Sequence, residues 1–459
     1  MVPTEGLVKK SIYFLIISLT VSIVVSGLLL AGMLESLELL TLDLRYQILS
    51  GHGSGNLPPV AVVALDQNSI KEMGRWPIQR EHYVTVLENI YRDGAKGVLL
   101  DMDFSSTGPD PGQDEDLARY VQEAGTVVLA AQMDEKITGE GVLLRNISLP
   151  FPALKDAAMA LGSITFEVDQ DGVVRRMPSS IDFIDEVYRP LGAVGAAMID
   201  PRSPAIVPGG SLIDMKALAR PSFAVIPFRK VVRGEFEAGI FRDKVVLLGA
   251  TSSDLHDLWL TPLGVTPGVF IQVAVLDTVF NSSWYKRQGN ASAVIVIILL
   301  SLFSGWATAS RGWKGGALVL ALLLAGVTGT SIFIAGAGYF IQAVPLILVC
   351  LTMYPLQVAV RARRADIDLA RERGKTEAFL SIADLRMVEE EGQESHFVPL
   401  VLLGQILDLA VLQIVTWGKT SEDAVQVNRI IGGQGTKPDP GLLITLLGET
   451  LLIVLRIGH

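Results

Sequence analysis

The chain has 459 residues, half of them hydrophobic and 19% charged, with a single cysteine and a mean hydropathy of +0.43. Values so apolar over such a length exclude a disordered chain and a simple soluble globule, and point to a membrane protein. The net charge of −10 argues against nucleic acid as a partner, because phosphate contacts need a basic surface, and Cys350 alone forms no intramolecular disulfide.

Residues 1–10 carry Lys9 and Lys10, and Ser11 to Leu34 then runs without a charge until Glu35. At 1.5 Å per residue this run crosses the roughly 30 Å hydrocarbon layer, and it outlasts the core of a cleaved signal. It reads as a retained anchor. The next uncharged run is Asn290 to Ser310, and after Arg311 and Lys314 a third extends from Gly315 to Val360. Gly336, Gly338 and Tyr339 divide that third run into two spans, 315–336 and 339–360, joined by a tight turn. Basic residues stay on the cytoplasmic side. Lys9, Lys10, Arg311, Lys314 and the cluster Arg361, Arg363, Arg364, Arg371, Arg373, Lys375 all predict one topology. Both termini are then inside a bacterial inner membrane, and residues 35–289 are periplasmic.

Within 35–289, VAVVAL (Val60 to Leu65) predicts a strand and Gln79 to Arg92 a helix. GVLLDMDF (Gly97 to Phe104), Asp114 to Ala124 and TVVLAA (Thr126 to Ala131) repeat the alternation. Ile164 to Met177 reads as a hairpin turning at Asp169 to Gly172, Lys244 to Gly249 as a strand and Gly268 to Phe280 as a helix. Apolar strands alternating with helices predict a three-layer α/β/α sandwich around a mostly parallel sheet, with a β insertion.

Ligands gather at the carboxyl ends of such strands, which selects Asp66, Ser69, Asp101, Ser105, Ser252, Asp254 and Asp257 as one polar mouth. Asp101, Asp103, Asp254 and Asp257 have the chemistry for a hard cation, but no recognised ligand spacing, so strand-end and capping roles are preferred and no metal is assigned. Asp169, Asp171 and Gly172 open like a calcium loop, yet Ser180 stands where its glutamate belongs. Ser252, Ser253 and His256 lie in no nucleophile elbow, and Gly432, Gly433 and Gly435 have neither Walker nor dinucleotide spacing. No cofactor and no enzyme activity are assigned.

LDLR (Leu42 to Arg45), VAVVALDQNSIKEMGRWPIQREHY (Val60 to Tyr83) and DGAKGVLLDMDF (Asp93 to Phe104) form an ordered series of blocks. It continues through GQDEDLARYVQEAGTVVLAAQ (Gly112 to Gln132), GSITFEVDQDGVVRRMP (Gly162 to Pro178) and FRDKVVLLGATSSDLHDLWLTPLGVTPGVFIQ (Phe241 to Gln272). The series resembles the CHASE2 domain, an extracytoplasmic sensory module of bacterial receptors that precedes three consecutive spans. The resemblance implies a sensor, and it matches the family at Asp66, Ser69, Gly74, Trp76, Pro77, Arg80, Asp101, Asp171, Gly172, Arg175, Gly249, Asp257, Thr261, Pro262, Pro267 and Gly268. Trp76 and Thr261 join the ligand candidates on this ground. Arg80, Arg175 and Asp257 are preferred, with internal ion pairs as the competing reading.

The tail 361–459 is too short for a kinase core and lacks a Gly-Gly-Asp/Glu-Glu-Phe signature. Ser395 and His396 are followed by Phe397 instead of an acidic residue, unlike a phosphoacceptor box. The tail reads as helices: Ala365 to Met387 broken near Gly374, Val398 to Trp417, a capped helix from Thr420, Ser421 and Asp423 to Gly432, and Leu442 to Ile457. The expectation is a homodimeric membrane sensor that relays an unidentified extracytoplasmic ligand to a cytoplasmic partner. Its rivals are an envelope-assembly subunit and an exported metal-dependent hydrolase using Asp101, Asp103 and Asp257.

Overall fold

A computed structural model describes residues 4–50, 57–74, 76–137, 143–183, 186–219, 223–309, 311–390, 443–447 and 450–454. They divide into two units, Met1–Asp366 and Ile367–His459. The first opens with helices α1 (Thr4–Leu30) and α2 (Glu35–Ser50), the second of which was not among the expected elements. The α/β domain follows with β1 (Val60–Leu65), α3 (Gln67–Met73), α4 (Arg80–Arg92), β2 (Gly97–Asp101), α5 (Pro111–Ala124), β3 (Val127–Ile137) and β4 (Leu143–Ser148). Next come α6 (Pro152–Ala157), β5 (Ala160–Ser163), β6 (Ile181–Phe183), β7 (Glu186–Tyr188), α7 (Leu191–Ile199), α8 (Lys216–Ala219), β8 (Ala224–Pro227) and α9 (Phe228–Val232). β9 (Val245–Ala250), the hairpin of β10 (Leu258–Thr261) and β11 (Gly264–Pro267), and α10 (Gly268–Phe280) complete it.

β12 (Lys286–Arg287) leads into α11 (Asn290–Ala309) and α12 (Trp313–Gly336), and β13 (Tyr339–Phe340) into α13 (Ala343–Glu390). α1, α11, α12 and α13 each hold a segment long and apolar enough to cross a membrane. α1, α11 and α13 share a buried core that includes Val25, Ile297 and Val349. Hydroxyls supply directed contacts there: the Ser22 and Ser301 hydroxyls lie 2.8 Å apart, and Thr308 donates to Gln357 at 2.7 Å.

The seven-stranded sheet has the order β4-β3-β2-β9-β1-β8, with β5 also paired to β3. Only β4 runs antiparallel. Because side chains alternate along a strand, Val62, Leu99, Val128 and Leu247 pack with Leu191, Val194, Ile271 and Val275 of α7 and α10. Val63, Leu100, Leu129 and Leu248 pack instead with Val86, Leu87, Leu117, Val121 and Phe228 of α4, α5 and α9. The strands carry apolar side chains toward both clusters, which is why they read as continuous apolar runs. The expected hairpin is present as a turn: the Gly172 N–H donates to the Asp169 carbonyl at 2.8 Å, with Gly172 at φ 78°.

Two expectations about the tail are corrected. α13 runs unbroken through Gly374, since one interior glycine costs only about 1 kcal/mol against alanine. The segment read as a helix from Leu442 to Ile457 contains an antiparallel pair, β14 (Leu443–Leu447) with β15 (Thr450–Val454), so the tail is not wholly helical. A two-residue Gly448-Glu449 connection between runs rich in Leu, Ile, Thr and Val is a hairpin signal that outweighs the apolar count. The helices expected at 398–417 and 420–432, His396 and the glycines 432–435 lie outside the described residues.

Candidate functional site

The sheet brings several expected residues to one edge, and each has an internal task. Asp66 follows β1 and caps α3, its carboxylate accepting the Ser69 N–H at 2.7 Å. Ser69 is fully buried and accepts the Arg229 N–H at 3.2 Å, tying α3 to α9. Ser252 donates to Gln67, which in turn donates to Asp254, so the β1 and β9 loops are laced together. Asp103 closes its own turn onto the Ser105 N–H at 2.7 Å. Thr261 is 3% exposed and donates to the Gly264 carbonyl at 2.8 Å across the β10–β11 turn. Trp76 is 47% exposed.

Asp101 and Asp257 form the electrostatically unusual part of that edge. Asp101 ends β2, and its Oδ2 is buried without a hydrogen-bond partner. Burial, and then the charge of Asp257, hold its carboxyl well above the ordinary range. Asp257 accepts the Trp259 indole N–H at 2.9 Å, and burial raises its carboxyl as well. Gly268 has to be glycine here, because a Cβ would stand 2.5 Å from Asp257 Oδ1. Among the described residues, no group of three or more His, Cys, Asp or Glu is arranged to hold a metal.

Among the described residues, neither of the two preferred arginines pairs with Asp101 or Asp257. Arg80 opens α4, pairs with Asp114 at 3.1 Å, donates to the Ser106 carbonyl at 2.9 Å and lies 4.8 Å from the Phe104 ring centre. Arg175 is fully buried. Its Nε and Nη2 donate to both oxygens of Asp43 at 2.6 and 2.7 Å, and Nη1 to Asp169 at 3.0 Å and Asp171 at 2.9 Å. Arg176 meets the other oxygen of Asp169 at 2.6 Å. Burial opposes the charge of Arg175, but the bonds from Asp43, Asp171 and Asp169 outweigh it and hold the guanidinium protonated. In return Arg175 holds the Asp171 carboxyl low.

Asp43 belongs to α2, whose role is visible only in three dimensions. Tyr46 donates to the Ile213 carbonyl at 2.9 Å and Gln47 to the Pro262 carbonyl at 3.1 Å, so one set of α2 side chains grips the α/β domain. A second set grips the ends of the apolar helices. Glu35 takes a two-pronged bond from Arg287 at 2.6 and 2.7 Å, three residues before α11. Glu38 accepts the Val344 N–H at 2.9 Å in the first turn of α13 and pairs with Arg45 at 2.5 Å. Arg45 then donates to the Ile341 carbonyl at 2.7 Å. Glu38 and Arg45 are each 3% exposed. Asp43 and Arg45 stood in the LDLR block of the family resemblance without a role, and Glu38 and Tyr46 were not singled out from the sequence; the available signal was Glu38 and Arg45, two helical turns apart just beyond an apolar span.

The CHASE2 domain family matches residues 20–307. This chain belongs to that family. CHASE2 domains are sensory domains of signalling receptors, and the matched range takes in the α/β domain, α2 and parts of α1 and α11. No match is found among curated proteins or among solved structures.

Proposed function

We propose that this CHASE2 protein is a homodimeric receptor of a bacterial inner membrane, with residues 35–289 in the periplasm and both termini in the cytoplasm. The α/β domain, a three-layer sandwich with helices on both sheet faces, binds an extracytoplasmic ligand, and the tail hands the signal to a separate cytoplasmic partner without catalysis of its own. The observation that carries this reading is α2, whose side chains hold the domain through Asp43 and Tyr46 and the apolar helices through Glu35, Glu38 and Arg45. A ligand that prefers one arrangement of the domain shifts the population of α2 positions, and α11 and α13 move with it. The outward residues Leu37, Leu40 and Leu44, 54, 67 and 57% exposed at helical spacing, support a second copy as neighbour.

The test is a fusion of residues 1–390 to a nucleotide cyclase. Arg45→Met cuts the α2 link to Ile341 and Glu38, and is expected to move basal cyclase output away from wild type at equal expression. Unchanged output would contradict relay through α2.

A further inference from the structure

Asp277 is the single ionisable residue of α10, and it is 5% exposed. α7, β9 and β11 pack against α10 and carry no ionisable side chain. Charge facing Asp277 comes from the neighbouring segment: Asp214, Lys216 of α8, Tyr285, and beyond it Tyr46 of α2. The Asp214 N–H donates at 2.9 Å to the hydroxyl of Thr278, the residue after Asp277, and the charge of Asp214 acts on the Asp277 carboxyl. Asp214 is 4% exposed and already engaged, by Lys216 Nζ at 3.2 Å and by the Tyr285 hydroxyl at 3.4 Å. Asp277 receives the Asn281 side-chain amide at 2.8 Å, and among the described residues no cation pairs with it. Burial first, then Asp214, push its carboxyl up to about 7, with Lys216 pulling the other way.

What this pair touches gives it consequence. The Tyr285 ring lies 5.7 Å from Tyr46 of α2 and 4.9 Å from Phe340 of β13. Its backbone pairs with Leu212 in both directions, at 2.8 and 3.0 Å. Two residues on, Arg287 holds Glu35. The acid pair is therefore one side chain away from the joint between the domain and the apolar helices.

We propose that Asp277 and Asp214 form a proton-operated switch, and that the extracytoplasmic proton is a cue this protein reads. The geometry stands by itself, while its signalling meaning rests on the receptor reading above. With Asp277 protonated, Lys216 stays with Asp214 and Tyr285 keeps its place. Loss of the proton to solvent puts a second negative charge beside Asp214. Lys216 is then shared between the two carboxylates, and the hold on Tyr285 loosens. The sign follows from a folded value above the unfolded one: this group favours the described arrangement below the ordinary aspartate range and loses that effect as pH rises through about 7.

The experiment uses the full chain in lipid nanodiscs, with infrared difference spectra of carboxyl groups from about pH 5 to about pH 9. A paired spin-label distance between Ser36 of α2 and Lys286, both exposed, is followed over the same range. One carboxyl is expected to deprotonate near pH 7, with the label distance changing at the same midpoint. Asp277→Asn abolishes both, and Asp214→Asn moves the midpoint to lower pH by removing the like charge. A spectrum without a neutral-range carboxyl, a titration that survives Asp277→Asn, or a label distance constant through the titration overturns the switch. If titration and movement are present while a grafted cyclase never responds to pH, the switch stands and the receptor reading falls. If the cyclase keeps a wild-type pH response in Asp277→Asn, the switch falls and the receptor reading stands.

Discussion

Arg175 shows how a single buried charge orders its surroundings. Three aspartates share its guanidinium, and removing the cation would leave part-exposed Asp43 and Asp171 and buried Asp169 facing one another, with only Arg176 still paired to Asp169. Arg175→Met is predicted to cost about 1–3 kcal/mol, read as a fall in the unfolding midpoint, because water screens Asp43 and Asp171 and Arg176 still pairs with Asp169, which tempers the penalty of uncompensated buried charge. Asp101 has the opposite sign. Its carboxyl lies above the unfolded value, so its contribution is present below the ordinary aspartate range and lost as pH rises. Asp101→Asn is expected to leave stability near wild type at about pH 4 and to raise it at about pH 7, as thermal unfolding at the two pH values would show. Asp66 was read as part of the polar mouth and not as a cap, because the short helix α3 that it caps carries too little apolar pattern to be predicted. The partners of Arg80 and Arg175 were not legible in the sequence, because Asp114 and Asp43 lie far from them in the chain.

Elements with a regular apolar pattern were legible almost to the residue. β1, α10 and β9 sit where the alternation and run lengths place them, and Leu247 and Leu99 pair across the central register. Leu247→Ala should cost about 2–5 kcal/mol through the cavity left beside α7 and α10, measurable by denaturant unfolding. α2 was missed for a physical reason. It buries Leu39, Leu42 and Tyr46 together with Glu38 and Arg45 and exposes Leu37, Leu40 and Leu44, so apolar residues occur on both faces and no single apolar stripe marks the packed one. A double-mutant cycle on Glu38→Gln and Arg45→Met is predicted to give a coupling of about 1–3 kcal/mol, whereas simple additivity would mean the pair does not act as a unit. β14 and β15 were misread because short apolar runs are ambiguous between helix and strand, and only the two-residue connection separates the two.

At the scale of the whole molecule, the charge pattern along the chain and the contacts of α2 support the same account. Lys9, Lys10, Arg311, Lys314 and the cluster from Arg361 lie near ends of the apolar helices, as do Lys286 and Arg287 ahead of α11, while the α/β domain and α2 occupy the long segment between α1 and α11. The four apolar helices were legible because the bilayer imposes a length that survives without any tertiary information. The route from domain to helices was not, since it consists of contacts between residues hundreds of positions apart, such as Glu38 with Val344 and Glu35 with Arg287. The most direct measurement of the central claim is protease accessibility of residues 35–289 from each side of the membrane. The account predicts that protease added to intact spheroplasts digests this segment and that inverted vesicles protect it. Protection in spheroplasts with digestion in inverted vesicles would contradict it.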